Sequence, residues 1–264
     1  MANSLTTRHR EIVEMARRSG RVSVEELVQA LEVTPQTIRK DLNDLCAQGI
    51  MRRVHGGAIL GSGVENLGYK ARVSMAFEEK QKIGHAAAEM IPDGASLFIN
   101  IGTTTEEVAR ALANRSGLLV ITNNLNVVDI LCHNSTIEIM VVGGRIRHAD
   151  RAAVGPSAVE FIKHFKVDYA IIGTSAIDDD GSLLDFDLSE VQVSQAIFEN
   201  ARSVVLVADQ SKLARNAPVR VGHVSQIDAF VTDYIESEEL LAVCEANDVD
   251  VVMAMPEKAE AAAD

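Results

Sequence analysis

The sequence predicts an α/β protein in two parts, an N-terminal winged helix-turn-helix and a C-terminal α/β domain built on a largely parallel sheet. Three observations carry that reading. Residues 23–57 hold two short capped helices followed by an Arg-Arg-Val-His-Gly-Gly hairpin. From Lys80 onward, apolar runs of strand length alternate with helical patterns, the order of βαβ units. The segments just after those runs are polar and rich in glycine, which suits ligand loops at the carboxyl ends of parallel strands.

The head is written in caps and periods. Ser23 and Glu26 form a capping box, in which the Ser hydroxyl accepts from the Glu26 amide and the Glu side chain reaches back to the Ser23 amide. Val24, Leu27, Val28 and Leu31 then share one face of a helix, and Arg8–Arg18, with Ile12, Val13 and Ala16, can cover it. After a Glu32-Val33 turn, Thr34 reads as an N-cap and Pro35 as the first residue of a second helix, where its missing N–H costs nothing. Ile38, Leu42 and Leu45 point inward and Gly49 offers a stop. Thr34, Gln36, Thr37, Arg39, Lys40 and Asn43 are left for an outer face. The second helix of such a motif enters the major groove, where Arg39 can fork onto guanine and Gln36 onto adenine. Ile50–Leu60 reads as a two-stranded wing with Gly56-Gly57 near its turn, and Arg52, Arg53 and His55 are placed to touch phosphates or the minor groove.

Charge divides the chain at the same place. Residues 1–60 hold nine Lys and Arg against seven Asp and Glu, a net +2, which leaves −15 for residues 61–264 of the whole-chain −13. The basic footprint of a DNA-binding head is local, so the acidic total does not exclude it. At 264 residues and 47% hydrophobic, with no Trp, the chain has room for an aliphatic α/β core behind the head. No apolar run approaches the ~20 residues of a membrane span, and Met1–Arg10 has no hydrophobic signal core, so a cytoplasmic location is expected. Cys46, Cys132 and Cys244 are isolated, which excludes a disulfide framework or a close-spaced metal site and reads as three small core residues. The expected division is residues 1–60 as the head, 61–80 as a linker that turns helical near its end, 81–255 as the body and 256–264 as a frayed tail.

In the body, strands are expected at Ser96–Ile101, Leu118–Thr122, Ile137–Val142, Asp168–Gly173, Ser203–Ala208, Ala229–Thr232 and Val249–Met253. Helices are expected at Lys82–Met90, Glu106–Ala113, Leu125–Cys132, Ser157–Phe165, Glu190–Asn200 and Glu238–Ala246. After the first strand, Gly102, Thr103, Thr104 and Thr105 place amides and hydroxyls at a helix N-terminus, where a phosphate is favoured. The second strand ends in Asn123, the third in Gly143, Gly144 and Arg145, the fourth in Gly173 with Asp178 beyond, and the fifth in Asp209 through Lys212. Lys212 or Arg145 would be the counter-charge for a phosphate, and Asn123, Asp178 or Asp209 could take polyol hydroxyls. No Walker loop and no dinucleotide glycine fingerprint is present. No cofactor, metal or catalytic set is expected.

The segments Thr34-Pro35-Gln36-Thr37-Ile38-Arg39-Lys40-Asp41-Leu42 and Arg53-Val54-His55-Gly56-Gly57-Ala58 resemble the DeoR family of bacterial sugar-metabolism repressors. The resemblance continues through Gly102-Thr103-Thr104, Thr122-Asn123-Asn124, Gly143-Gly144, Gly173 and Ser211-Lys212, so it covers almost the whole chain. It implies a repressor that binds double-stranded operator DNA as a homodimer or homotetramer and is released by a phosphorylated small-molecule effector. It also implies a body related to ribose-5-phosphate isomerase, which supplies a rival: an isomerase in which Asp178 or Glu190 shuttles a proton and Lys212 steadies an enediolate. A ligand-dependent activator would use the same parts. One departure stands out: Asn100 occupies the position, two before Gly102, where the family usually has Asp.

Overall fold

The computed structural model describes residues 6–19, 21–47, 50–54, 56–60, 68–213 and 215–254. The chain divides into two compact units, Met1–Ala76 and Phe77–Asp264.

The first unit contains α1 (Thr7–Ser19), β1 (Arg21–Ser23), α2 (Val24–Leu31), α3 (Pro35–Ala47), β2 (Met51–Val54), β3 (Gly57–Leu60) and α4 (Tyr69–Ser74). The capping box on α2 forms as the sequence requires, with Glu26 N donating to Ser23 Oγ at 3.1 Å and Ser23 N to Glu26 Oε2 at 2.8 Å. Helix α2 ends on Glu32, whose φ of 52° is left-handed and turns the chain toward α3. Ile12, Leu27, Ile38, Leu42 and Leu45 meet at the centre of three helices. The wing has three strands rather than two, in antiparallel order β1-β3-β2. Gly57 is where β3 presses on β1: a Cβ there would collide with the Val22 carbonyl.

The second unit contains α5 (Phe77–Glu89), β4 (Ser96–Ile99), α6 (Thr103–Leu112), β5 (Leu119–Thr122), α7 (Leu125–Leu131), β6 (Glu138–Val141), β7 (Arg145–Arg147), β8 (Ala152–Val154) and α8 (Pro156–Ile162). It continues with β9 (Val167–Ile172), β10 (Ala176–Ile177), β11 (Ser182–Asp185), α9 (Leu188–Glu199), β12 (Ala201–Val207), β13 (Val219–His223), β14 (Ala229–Thr232), α10 (Glu238–Ala246) and β15 (Asp250–Met253). Seven strands form one parallel sheet in the order β15-β14-β12-β9-β4-β5-β6. Strand alternation assigns its two faces. Leu97, Ile99, Val120, Val205 and Val207 pack with Ile83, Val108 and Val127 of α5 to α7. Phe98, Ile121, Leu206 and Phe230 pack with Ile162, Val193 and Leu240 of α8 to α10.

All seven strands of this sheet lie where the apolar runs placed them, within one or two residues at each end. The β7–β8 hairpin and the antiparallel sheet β10-β11-β13 were not among the expected elements, because their short segments carry neither sustained alternation nor the continuous apolar run that marks the seven strands. The stretch expected as a linker contains α4, whose Ala71 joins the core of the first unit, and the first turn of α5 in the second. Residues 61–67 and the tail 256–264 lie outside the described residues. The cysteine expectation needs correcting: Cys244 is buried, but Cys46 is half-buried and Cys132 is exposed just after α7. Among the described residues no helix is long and apolar enough to cross a membrane.

Candidate functional site

In the first unit, Thr34 caps α3 by accepting from Thr37 N at 3.2 Å, and the two threonine hydroxyls lie 2.9 Å apart. Gln36, Arg39, Lys40 and Asn43 stand exposed on α3, and Thr37 is half-buried. Arg39 and the exposed Arg53 of β2 line one groove with Val28, Pro35 and Gly56, so the helix and the wing present cations to the same space. His55 lies outside the described residues, as does the side chain of Arg52.

Behind this face sits a group that sequence reasoning missed. Asp41 is 4% exposed and receives both Nε (2.6 Å) and an η nitrogen (3.1 Å) of Arg8, with His9 Nε2 at 3.3 Å. Burial alone would raise the Asp41 pKa, but the Arg8 hydrogen bonds and charge, helped by His9, hold it below the usual carboxylate range. This pair fixes α1 against α3. Its signal was a lone acid on the inward face of α3, one residue before Leu42.

In the second unit the sheet order reverses at β4: β5 lies on one side and β9 on the other, which makes the crevice beyond β4 and β9 a topological switch point. The strand ends converge there. A Cβ on Gly173 would lie 3.6 Å from Thr105 Cγ2, 3.7 Å from the Ile101 carbonyl and 3.9 Å from the Val207 carbonyl. The threonine run expected ahead of a helix is itself the first turn of α6, entered through Gly102 at φ 147° with no side chain capping the turn. Its first amides are therefore open to an anion. Thr105 spends its hydroxyl inside the turn, on the carbonyls of Asn100 and Gly102 at 2.8 Å each, whereas the Thr103 and Thr104 hydroxyls make no such bond.

Asn100 is committed internally. Its Oδ1 accepts from Ile101 N at 2.7 Å and its Nδ2 donates to Ser194 Oγ at 2.9 Å, on α9. A carboxylate could replace only the first of these bonds unaided, since Ser194 already donates to the Glu190 carbonyl. Asn123 donates to the Ala153 carbonyl, but its Oδ1 is buried and unpartnered. Glu106 Oε1 accepts from Asn124 and Asn126 and so ties α6 to the start of α7.

Two expected site residues belong elsewhere. Asp178 lies beyond β10, in the turn before β11, where burial and the neighbouring Asp180 and Asp179 raise its pKa. Arg145 is exposed on the β7–β8 hairpin, as are Gly143 and Gly144 before it, so it is no buried counter-charge. A Cβ on Gly144 would lie 3.0 Å from the Val154 carbonyl, so that glycine lets the hairpin close. Arg147, two residues on, clasps Asp150, Asp187 and Glu190. Burial works against the Arg147 charge, but Asp150 and Glu190 hold its pKa above the ordinary arginine value.

A buried cation that was not among the expected residues is Lys80, on α5 and 1% exposed. Asp209, 1% exposed, accepts from Ser211 N at 3.0 Å through Oδ1, while its Oδ2 and the Ser211 hydroxyl are buried without a hydrogen-bond partner. Burial would raise the Asp209 pKa, yet the charges of Lys212 and Lys80 bring it below the usual range. Lys212 is 7% exposed on the short turn Gln210–Lys212 after β12. Lys80 was legible in part: it stands three and seven residues before Ile83 and Ala87, a charge on the apolar face of a helix.

A winged helix-turn-helix joined to a sensor-like α/β domain is the build of a DNA-binding regulator that responds to a small molecule. Residues 8–63 match the DeoR-like helix-turn-helix domain and residues 75–234 match the DeoR C terminal sensor domain. The chain belongs to the DeoR family of transcriptional regulators, which are not enzymes. It is 47% identical over 228 residues to the glycerol-3-phosphate regulon repressor of Escherichia coli K12, spanning 86% of this chain and 90% of that one. The repressor of the same name from Haemophilus influenzae is 47% identical over 225 residues, 85% of this chain and 88% of its own. The E. coli HTH-type transcriptional repressor CsqR is 39% identical over 93% of this chain and 94% of its own. Among solved structures, ribose 5-phosphate isomerase A of Methanocaldococcus jannaschii is similar over 52% of this chain and 55% of that one, at 18% identity and a TM-score of 0.38.

Proposed function

We propose that the chain is a repressor of a glycerol or sugar-phosphate catabolic operon, released from its operator when a phosphorylated metabolite fills the cup at the β4/β9 switch point. Glycerol-3-phosphate is the first candidate. What supports the reading is an uncapped helix N-terminus after β4, buried Lys80 and Lys212 whose charges both act on the buried Asp209 after β12, and the unpartnered Asp209 Oδ2, Ser211 Oγ and Asn123 Oδ1 at strand ends of the same sheet. Cations and open amides suit a phosphate; unpartnered acceptors suit the hydroxyls of a small polyol. The relatives that share 47% identity over 85% or more of the chain carry a name that points to the same compound.

The head, on this reading, meets DNA through Thr34, Gln36, Thr37, Arg39, Lys40, Asn43, Arg52, Arg53 and His55, and the body from α5 onward holds the effector and the oligomer contacts. A dimer would engage half-sites about 34 to 36 Å apart, or a multiple of that spacing. Fluorescence anisotropy on DNA from the gene's own promoter region, titrated with glycerol-3-phosphate and a panel of sugar phosphates at fixed salt, tests the reading. Release by glycerol-3-phosphate alone supports it in full. Release by another phosphate keeps the mechanism and replaces the effector, and specific binding that no phosphate relieves overturns it.

A further inference from the structure

We propose that Lys80 is the residue through which occupancy of the cup is passed to the DNA-binding head. The inference rests on the anion-cup reading above and adds to it a coupling residue and a route.

The route is short in the chain. Lys80 lies in the first turn of α5, which starts at Phe77, the first residue of the second unit. Immediately before it, Ala76 holds a left-handed φ of 50°, a conformation that few residues other than glycine adopt. Before that, α4 belongs to the first unit, with Ala71 and Met75 packed into that unit's core. Thus a head helix and a body helix are joined by a two-residue corner, and Lys80 stands four residues past its strained member.

Farther along, α5 is locked to the effector-facing helix. Gly84 lets α5 and α6 touch backbone to backbone, since a Cβ there would come within 2.7 Å of the Glu107 carbonyl carbon. Ile83 and Ala87 are fully buried on the same face. Any shift of α6 is therefore felt by α5, and Lys80 is the buried charge at the start of α5, after the exposed Glu78 and half-buried Glu79.

The chemistry at Lys80 supplies the switch. Its ammonium shares the field of the buried Asp209 with Lys212. A dianion at the α6 N-terminus competes with Asp209 for that ammonium, and Asp209 Oδ2 and the Ser211 hydroxyl, which have no hydrogen-bond partner, can turn to ligand hydroxyls. Lys212 rides on a short turn after β12, so its response ends there. Lys80 rides on α5, so its response moves the helix that emerges from the corner. Lys212 thus sets how tightly an anion is held, and Lys80 sets whether holding it matters to the head.

The test compares Lys80→Met with Lys212→Met in the full chain. Both substitutions keep an unbranched side chain in a buried position. Operator binding is followed by anisotropy, and binding of glycerol-3-phosphate, the sugar-phosphate panel and inorganic phosphate by calorimetry. Lys212→Met is expected to bind the effector at least tenfold more weakly yet to release operator fully once saturated. Lys80→Met is expected to hold operator within about threefold of the parent and to keep holding it with the cup saturated, losing the roughly 5- to 150-fold coupling usual between allosteric sites. Lys80→Arg, which restores the charge, should recover part of the release and controls for misfolding. Full release of saturated Lys80→Met overturns the proposal, as does a Lys80→Arg protein no better than Lys80→Met. Should a different sugar phosphate prove to be the effector, the same contrast is read with it, and only the choice of effector fails. Should no phosphate of the panel bind the parent chain, the anion cup and the role of Lys80 fall together.

Discussion

The head exposes the side chains proposed to read DNA and buries an ion pair behind them, whereas the body buries the side chains proposed to hold the effector and leaves the first arginine of its hairpin exposed. Gln36, Arg39, Lys40 and Asn43 face solvent, with Asp41 and Arg8 fixing the helix that carries them. In the body, Lys80, Asp209, Ser211 and Lys212 are all under 9% exposed. The contrast follows from the partners. A duplex is larger than the protein surface that reads it and must be met by a convex face. A small phosphate has to be enclosed, so that cations and acceptors act on it out of bulk water.

The largest effect should come from the clasp that holds the body's hairpin. Arg147→Met leaves Asp150, Asp187 and Glu190 without their shared cation. Removing one partner of a buried pair costs about 3 to 5 kcal/mol, and Asp187 is exposed enough to put this case near ~3 kcal/mol. That would lower the melting temperature by roughly 6 to 12 °C for a domain of this size. Arg145→Met, two residues earlier and exposed, should leave melting and effector response alike unchanged. Equal losses from the two would erase the distinction between the half-buried, paired Arg147 and the exposed Arg145.

Asp41→Asn makes the matching test in the head. Arg8 is partly exposed, which moderates the loss to about 2 kcal/mol. The acid's pKa is depressed in the folded head, so its stabilisation is complete above the ordinary carboxylate pKa and is lost as pH falls through the folded value. Urea melts at decreasing pH should therefore show the parent's advantage over Asp41→Asn holding down to the ordinary carboxylate range and shrinking below it. An advantage that does not shrink anywhere below that range would mean that shape rather than charge holds α1 to α3.

Next in size is Arg39→Ala. The loss of a bidentate base contact is worth about 1 to 3 kcal/mol, roughly 5- to 150-fold in operator affinity. Calorimetric affinity for the effector should not change. If both fall together, Arg39 supports the fold, and the division between an outward-reading head and an inward-binding body needs redrawing.

The same contrast explains what could be read from the sequence. The head's reader is a local object: Ser23, Glu26, Thr34 and Pro35 set two helices, and the period of Ile38, Leu42 and Leu45 leaves the reading face by subtraction. The seven strands were legible because parallel strands buried on both faces are continuous apolar runs. The proposed cup draws on residues as far apart as Lys80 and Lys212, and nothing local says which strand-end cation is buried. Arg145 and Lys212 looked equivalent in the chain. The hairpin that separates them is made of two three-residue strands, below the length at which alternation can be recognised. Asp178 stands farther from the end of β9 than the sequence suggested for a related reason, since β10 intervenes between them.

The finest test lies between neighbouring threonines of one run, where exposure no longer distinguishes them. Thr103 and Thr105 are both buried, at 8% and 0% exposed. Thr105 donates into the turn, to the Asn100 and Gly102 carbonyls, whereas Thr103 has no internal acceptor. Thr105→Val should cost about 1 kcal/mol of stability, the net worth of a buried hydrogen bond. Thr103→Val should leave stability within about 0.5 kcal/mol and weaken effector binding by roughly threefold to tenfold, the equivalent of one hydrogen bond to ligand. Urea melts and calorimetric titrations on the two variants separate the outcomes. If Thr103→Val loses stability and keeps its effector affinity, the first turn of α6 is structure throughout, and the phosphate must be held by the buried lysines without it.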